Sequence, residues 1–159
     1  MMPEYMELTI MQRGREMYRI LAIDFGERRM GLAISDPTQT IASPFKIIDT
    51  EKENPIDVIK EICEKNDVKK IILGFPLLLS GEEGRMAKLV KEFRQELLEK
   101  IGIEVILVDE RFTSKISERE IRRRGKRPSK EKEKIDLYAA AYLLQEYLSS
   151  KRNHDGLEE

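Results

Sequence analysis

The chain has 159 residues, enough for one domain with a helix-covered sheet, and no apolar run approaches the roughly 18–20 residues of a membrane span. Its 29 Lys and Arg nearly balance 30 Asp and Glu, and the single cysteine, Cys63, excludes an intramolecular disulfide or a cysteine zinc cluster. The single histidine, His154, lies in a polar stretch, which excludes histidine-rich metal sites, disfavours a Ser-His-Asp triad and leaves carboxylates to carry any chemistry. The N-terminus lacks the continuous apolar core of a signal peptide, which predicts a cytoplasmic protein.

Taken in chain order, residues 1–16 are patternless and are expected to form a loosely ordered extension. A single domain is expected over 17–150, followed by a polar tail over 151–159. The first strand is predicted over about 18–25, the second over about 29–35 and the third over about 39–48. Short connections make these three an antiparallel meander, and Pro44 marks the third as an edge strand. Asn54 and Pro55 then open a helix whose apolar side is Ile56, Ile59, Ile62 and Cys63. "KKIILGF" reads as a buried strand. Ser80 and Glu83 are spaced as a capping box for a second helix, with Met86, Leu89, Val90, Phe93 and Leu97 as its buried stripe. "IEVILVDE" is a further strand, and Ser117 with Glu120 would cap a basic helix ending at Gly125. A last helix is predicted from about Glu133 to Ser149. Strand–helix–strand–helix–strand in the second half requires parallel neighbours, so the fold class is α/β, a mixed sheet with helices on its faces.

Four carboxylates stand at telling positions in this layout. Asp24 ends the first strand after the buried run Leu21–Ile23, the pair Asp109–Glu110 ends the last strand, and Asp136 sits in the final helix. The first and last strands are parallel, so their carboxyl ends share the edge where open sheets of this kind gather ligands. Ala139 and Ala140, one turn after Asp136, let that helix face approach the sheet closely. Clustered acids raise one another's pKa unless cations sit among them. Two divalent ions about 4 Å apart would both relieve this repulsion and drive in-line phosphodiester hydrolysis. Oxygen ligands suit Mg²⁺ or Mn²⁺.

Charge is also unevenly spread. "REIRRRGKRPSKEKEK", residues 119–134, holds nine Lys or Arg against three Glu, a local balance of +6 that leaves −7 for the rest. Arg122, Arg123, Arg124, Lys126 and Arg127 form its densest part and point to a polyanionic partner, a nucleic acid.

"ILAIDFGERRMGLAISD", "IILGFPLLLSGEEG", "VILVDERFTS" and "KEKIDLYAAAYLLQEYL" together resemble the successive motifs of the YqgF family, also called RuvX, from about Met17 to Leu148. The resemblance implies an RNase H-like fold with a five-stranded sheet of order 3-2-1-4-5. It also implies a metal-dependent nuclease acting in 5′-end processing of pre-16S ribosomal RNA, or on branched DNA as a Holliday-junction resolvase, which would act as a symmetric homodimer. Residue by residue, it assigns the metal-binding acids to Asp24, Glu110 and Asp136, with Asp109 adjacent, and contacts to substrate phosphate to Arg111 and Thr113. The chain departs from the family at Leu77–Leu79, where polar residues are usual, which favours packing there over substrate contact. Two rivals compete. A sugar-kinase or actin-like protein shares the first motif but needs a second domain, and a non-catalytic nucleic-acid-binding module would keep the basic segment and need no metal.

Overall fold

A computed structural model describes residues 17–75, 84–109 and 128–157. Five strands form one sheet: β1 (Arg19–Asp24), β2 (Arg29–Ser35), β3 (Ala42–Asp49), β4 (Val68–Phe75) and β5 (Glu104–Asp109), in the order β3-β2-β1-β4-β5. The meander is antiparallel, with Leu21 opposite Ile34 and Met30 opposite Ile48. Both β1–β4 and β4–β5 are parallel. The helices are α1 (Pro55–Lys65), α2 (Arg85–Lys100) and α3 (Pro128–Leu157).

Strand alternation divides the core into two layers. Leu21 and Ile23 of β1 pack with Ile59 and Cys63 of α1 and with Val90, Phe93 and Leu97 of α2. Ile20 and Ala22 turn to the other face, where Ala140, Leu143, Leu144 and Leu148 of α3 cover them. Residues Ile20–Ile23 are completely buried, as expected of a strand between two helix layers.

The sequence pattern accounts for most element ends. Asn54 caps α1, its side chain accepting from the N–H groups of Ile56 (3.0 Å) and Asp57 (3.3 Å). Pro44 does lie on an edge strand. The register shifts there, Leu32 facing Lys46 and Ala33 facing Pro44, so Phe45 is the extra residue of a bulge. The other edge, β5, has its Val105 carbonyl covered by the Arg94 guanidinium at 2.9 Å.

Three boundaries differ from the sequence pattern. β3 starts at Ala42 because the Asp36 carboxylate folds the preceding residues into a turn, with Gln39 at φ 58°. α2 starts at Arg85 with Gly84 as its N-cap and no side-chain cap, not at the Ser80–Glu83 box, and those two residues lie outside the described set. Its buried stripe is Ala87, Val90, Phe93 and Leu97. Met86 and Leu89 are only partly buried, because the first turn meets the sheet through the small Ala87. α3 runs from Pro128 to Leu157, several residues beyond both expected ends, so 151–157 is helical. Residues 1–16, Leu77–Leu79, and the Ser117–Glu120 box with its basic helix lie outside the described residues.

The Asp36 turn is a self-contained electrostatic element. Its carboxylate accepts from the N–H groups of Thr40 and Ile41, both at 2.8 Å, and from the hydroxyls of Thr38 and Thr40. Burial pushes this carboxyl up, but the bonds from Ile41, Thr38 and Thr40 outweigh it and hold the group well below the usual carboxylate range. A depressed folded-state pKa gives stability that is present above the unfolded value near about 3.9 and is lost as pH falls through the folded value. Asp36→Ala is therefore expected to cost about 1–2 kcal/mol at neutral pH, allowing for partial exposure. Chemical denaturation from pH 7 down to about 2 checks this, with the difference between variant and wild type shrinking below about pH 4.

Candidate active site

The carboxyl ends of β1, β4 and β5 lie along one sheet edge because the three strands are parallel. Asp24 closes β1 there and is half-buried, the first residue after four fully buried ones to reach solvent. Alternation assigns Asp24 to the same face as Ile20 and Ala22, the face covered by α3. Its cross-strand partner is Gly31, which presents no side chain beside it.

The turn that follows Asp24 is tightly closed. A Cβ on Gly26 would stand 2.1 Å from the Arg29 carbonyl oxygen, so only glycine fits. Thr50 ties this turn to the one after β3, its hydroxyl donating to the Glu27 carbonyl at 2.6 Å and its N–H to the Arg28 carbonyl at 2.8 Å. Arg85, the first residue of α2, donates to both Glu27 carboxylate oxygens, at 2.8 and 3.1 Å. Phe25 stacks obliquely on Phe93 with ring centroids 5.3 Å apart.

The position of α3 is set by a second anchor. The Gln145 amide accepts from the Ala42 N–H at 3.0 Å and donates to the Thr40 carbonyl at 3.1 Å. Ala42 pairs with Ser35, whose hydroxyl accepts from the Ile20 N–H at 2.8 Å. From this row Asp24 is four residues onward along β1, about 13 Å. Residue 136 is nine residues back along α3, also about 13 Å. Ala139 and Ala140 are buried over the sheet, so the helix runs from the Asp24 end towards the Ser35 end. Residue 136 thus lies on the helix that covers the face to which Asp24 is assigned.

Asp109 behaves differently. It is exposed and shares the parity of Val105 and Leu107, which face α1 and α2, whereas Ile106 and Val108 face α3. Asp24 and Asp109 thus share an edge but project to opposite faces of the sheet. Glu110, Arg111, Thr113, Arg122, Arg123, Arg124, Lys126 and Arg127 lie outside the described residues, and the side chain of Asp136 is not described. Of the three expected metal ligands, only Asp24 has a described side chain, and among the described residues no three His, Cys, Asp or Glu are grouped to hold an ion. Asp24 fits a hard divalent cation in donor type, partial burial and position at the strand end. Cys63 is excluded as a nucleophile, since it is buried in the α1 layer and burial pushes its thiol up to about 12.

A cleft of about 440 Å³ opens at the same edge, lined by Arg28, Arg29, Ile47, Asp49 and Lys52. The sequence pattern did not single out these cations. The available signal was the "GERR" turn, whose two arginines directly follow the Asp24 strand. Among the described residues no helix is long and apolar enough to cross a membrane.

Comparison with known proteins agrees with this architecture. A family model described as RuvX, Holliday junction resolvase, matches residues 18–150. A relative from Sulfurihydrogenibium sp. (strain YO3AOP1), named as a candidate pre-16S rRNA nuclease, is 41% identical over 134 residues, covering 83% of this chain and 90% of its own. A relative of the same name from Fusobacterium nucleatum is 39% identical over 138 residues, covering 86% of this chain and 100% of its own. Among solved structures, T. thermophilus RuvC in complex with a Holliday junction substrate superposes with a TM-score of 0.51 at 14% identity, over 85% of this chain and 96% of that one. That likeness is one of fold, RNase H-like with the sheet order β3-β2-β1-β4-β5. With the family model spanning the sheet and its three helices, the chain belongs to the RuvX family of Holliday junction resolvases.

Proposed function

We propose that this protein is a divalent-metal-dependent endonuclease that hydrolyses phosphodiester bonds in structured nucleic acid, with 5′-end processing of pre-16S ribosomal RNA as its role. The observation that carries the reading is Asp24, half-buried at the carboxyl end of the central strand and assigned by alternation to the face that α3 covers. Asp24, Glu110 and Asp136 would hold Mg²⁺ or Mn²⁺. The ions would supply an activated water and stabilise the leaving oxygen of an in-line displacement. The chain's own contribution is to keep the acids on one face and to bind the substrate backbone through Arg111, Thr113 and the basic segment 119–134. The parity of β5 speaks against Asp109, because odd-numbered positions of that strand turn away from the α3 face.

The substrate assignment to RNA is supported by the names of the relatives at about 40% identity. A second reading, cleavage of four-way DNA junctions, is supported by the resolvase description of the family and would use the same acids. Such an enzyme would act as a homodimer on a two-fold symmetric junction. A cleavage assay with Mg²⁺ or Mn²⁺ on a pre-16S 5′ leader and on a synthetic four-way junction separates the two. Preferential cutting near a helix–single-strand boundary of the RNA is expected, and symmetric cutting of the junction with intact RNA would reverse the order.

In that assay Asp24→Asn, Glu110→Gln and Asp136→Asn should each reduce the rate by about 100-fold or more, the scale of losing one electrostatic stabiliser. All three should still fold, as judged by thermal melting. Asp109→Asn should leave most activity, and an inactive Asp109→Asn beside an active Glu110→Gln would reassign the ligand. Replacing Arg122, Arg123 and Arg124 together by Gln should weaken binding to many nucleic-acid sequences alike. The slope of log affinity against log salt should fall by up to about 3, and an unchanged slope would return these arginines to solvent.

A further inference from the structure

The cleft lined by Arg28, Arg29, Ile47, Asp49 and Lys52 has no part in holding metal, yet its place and charge suit an anion. Three cations face one carboxylate. Asp49 accepts from the Glu51 N–H at 3.0 Å and pairs with the Arg28 Nε at 3.3 Å, and the Glu51 carboxylate meets Arg28 Nη1 at 3.0 Å. The cleft and its rim thus hold three cations, Arg28, Arg29 and Lys52, against two acids, Asp49 and Glu51, with Asp49 drawn to Lys52 as well as to Arg28.

Register relates this cleft to Asp24. Asp24 pairs with Gly31, and Arg29 is two residues from Gly31 on β2, so Arg29 stands diagonally from Asp24 on the α3 face, about 7 Å away between backbones. Gly31 puts no side chain between them. Arg29 in turn pairs with Asp49 on β3, whose strand lies two spacings from β1, about 10 Å. Thr50 bonds the turn before β2 to the turn after β3, so the cations, which stand in or beside these turns, are carried on a rigid base.

We infer that this cleft is a phosphate subsite for the nucleic-acid strand cut at Asp24, with Arg29 and Lys52 as its cationic contacts. The inference rests on the nuclease reading given above. The strand then runs past Asp24 to the β2–β3 side of the carboxyl edge. Binding beside the acid fixes the backbone there, which is how an enzyme without base-reading elements keeps a phosphodiester in register.

Binding of a fluorescent RNA stem-loop with a single-stranded 5′ leader, measured in EDTA over about 50–200 mM salt, tests this apart from cleavage. Lys52→Gln and Arg29→Gln should each lower the slope of log affinity against log salt by about 1 and weaken binding at the lowest salt. Lys52→Arg should keep the wild-type slope. Lys52 is exposed in a turn, so its variant reports binding without loss of fold, and it decides the question alone if Arg29→Gln melts early. An unchanged slope in Lys52→Gln, together with a lowered slope on neutralising Arg122–Arg124, overturns the subsite and leaves the nuclease reading standing. Wild-type protein that fails to bind the RNA at all overturns both.

Discussion

Burial of β1 on both faces is the constraint from which the rest of the structure follows. Ile20 to Ile23 are shut off from solvent by α1 and α2 on one side and α3 on the other. A strand so enclosed cannot slip by one residue without turning its whole apolar set to the wrong layer. Its alternation is thus locked, and with it the face to which Asp24 points. The carboxylate also sits where the strand first meets water, which spares it the cost of several kcal/mol that an unpaired charge two residues earlier would carry.

The edge that results is held by contacts that are local in space and distant in sequence. Gly26 closes the turn after Asp24, Thr50 fastens that turn to the end of β3, and Arg85 fastens it to the start of α2. Gln145 sets where α3 sits along the sheet, bonding two backbone groups beside the Asp36 turn at the opposite edge. Ala139 and Ala140 complete the arrangement, since larger side chains there would lift the helix from the sheet.

Membership of the RuvX family and a fold shared with RuvC at 14% identity illustrate that the scaffold outlasts the sequence that covers it. What persists is the fold, whose parallel edge in this chain carries Asp24 at the end of the central strand. Beside that edge the cleft at β2 carries Arg28, Arg29 and Lys52, and charge of this kind sets where a polyanion lies rather than what bond is broken.

The sequence by itself determined the elements and their pairing. Short apolar runs named β1, β2, β4 and β5, the Asn54–Pro55 pair opened α1, and Pro44 marked the edge strand, because each of these signals is local to a few residues. It also placed Asp24 at a strand end and Asp136 on a helix. Tertiary structure alone decided three things. The start of β3 depended on the carboxylate of Asp36 gathering four donors, and the start of α2 on how Ala87 meets the sheet, neither of which a window of sequence contains. The separation of Asp24 from Asp109 onto opposite faces required the two core layers to be known, since parity has no sign until a helix covers one side. The cleft cations stayed hidden for the same reason: Arg29 and Lys52 are 23 residues apart in the chain and meet only because β2 and β3 pair in one register.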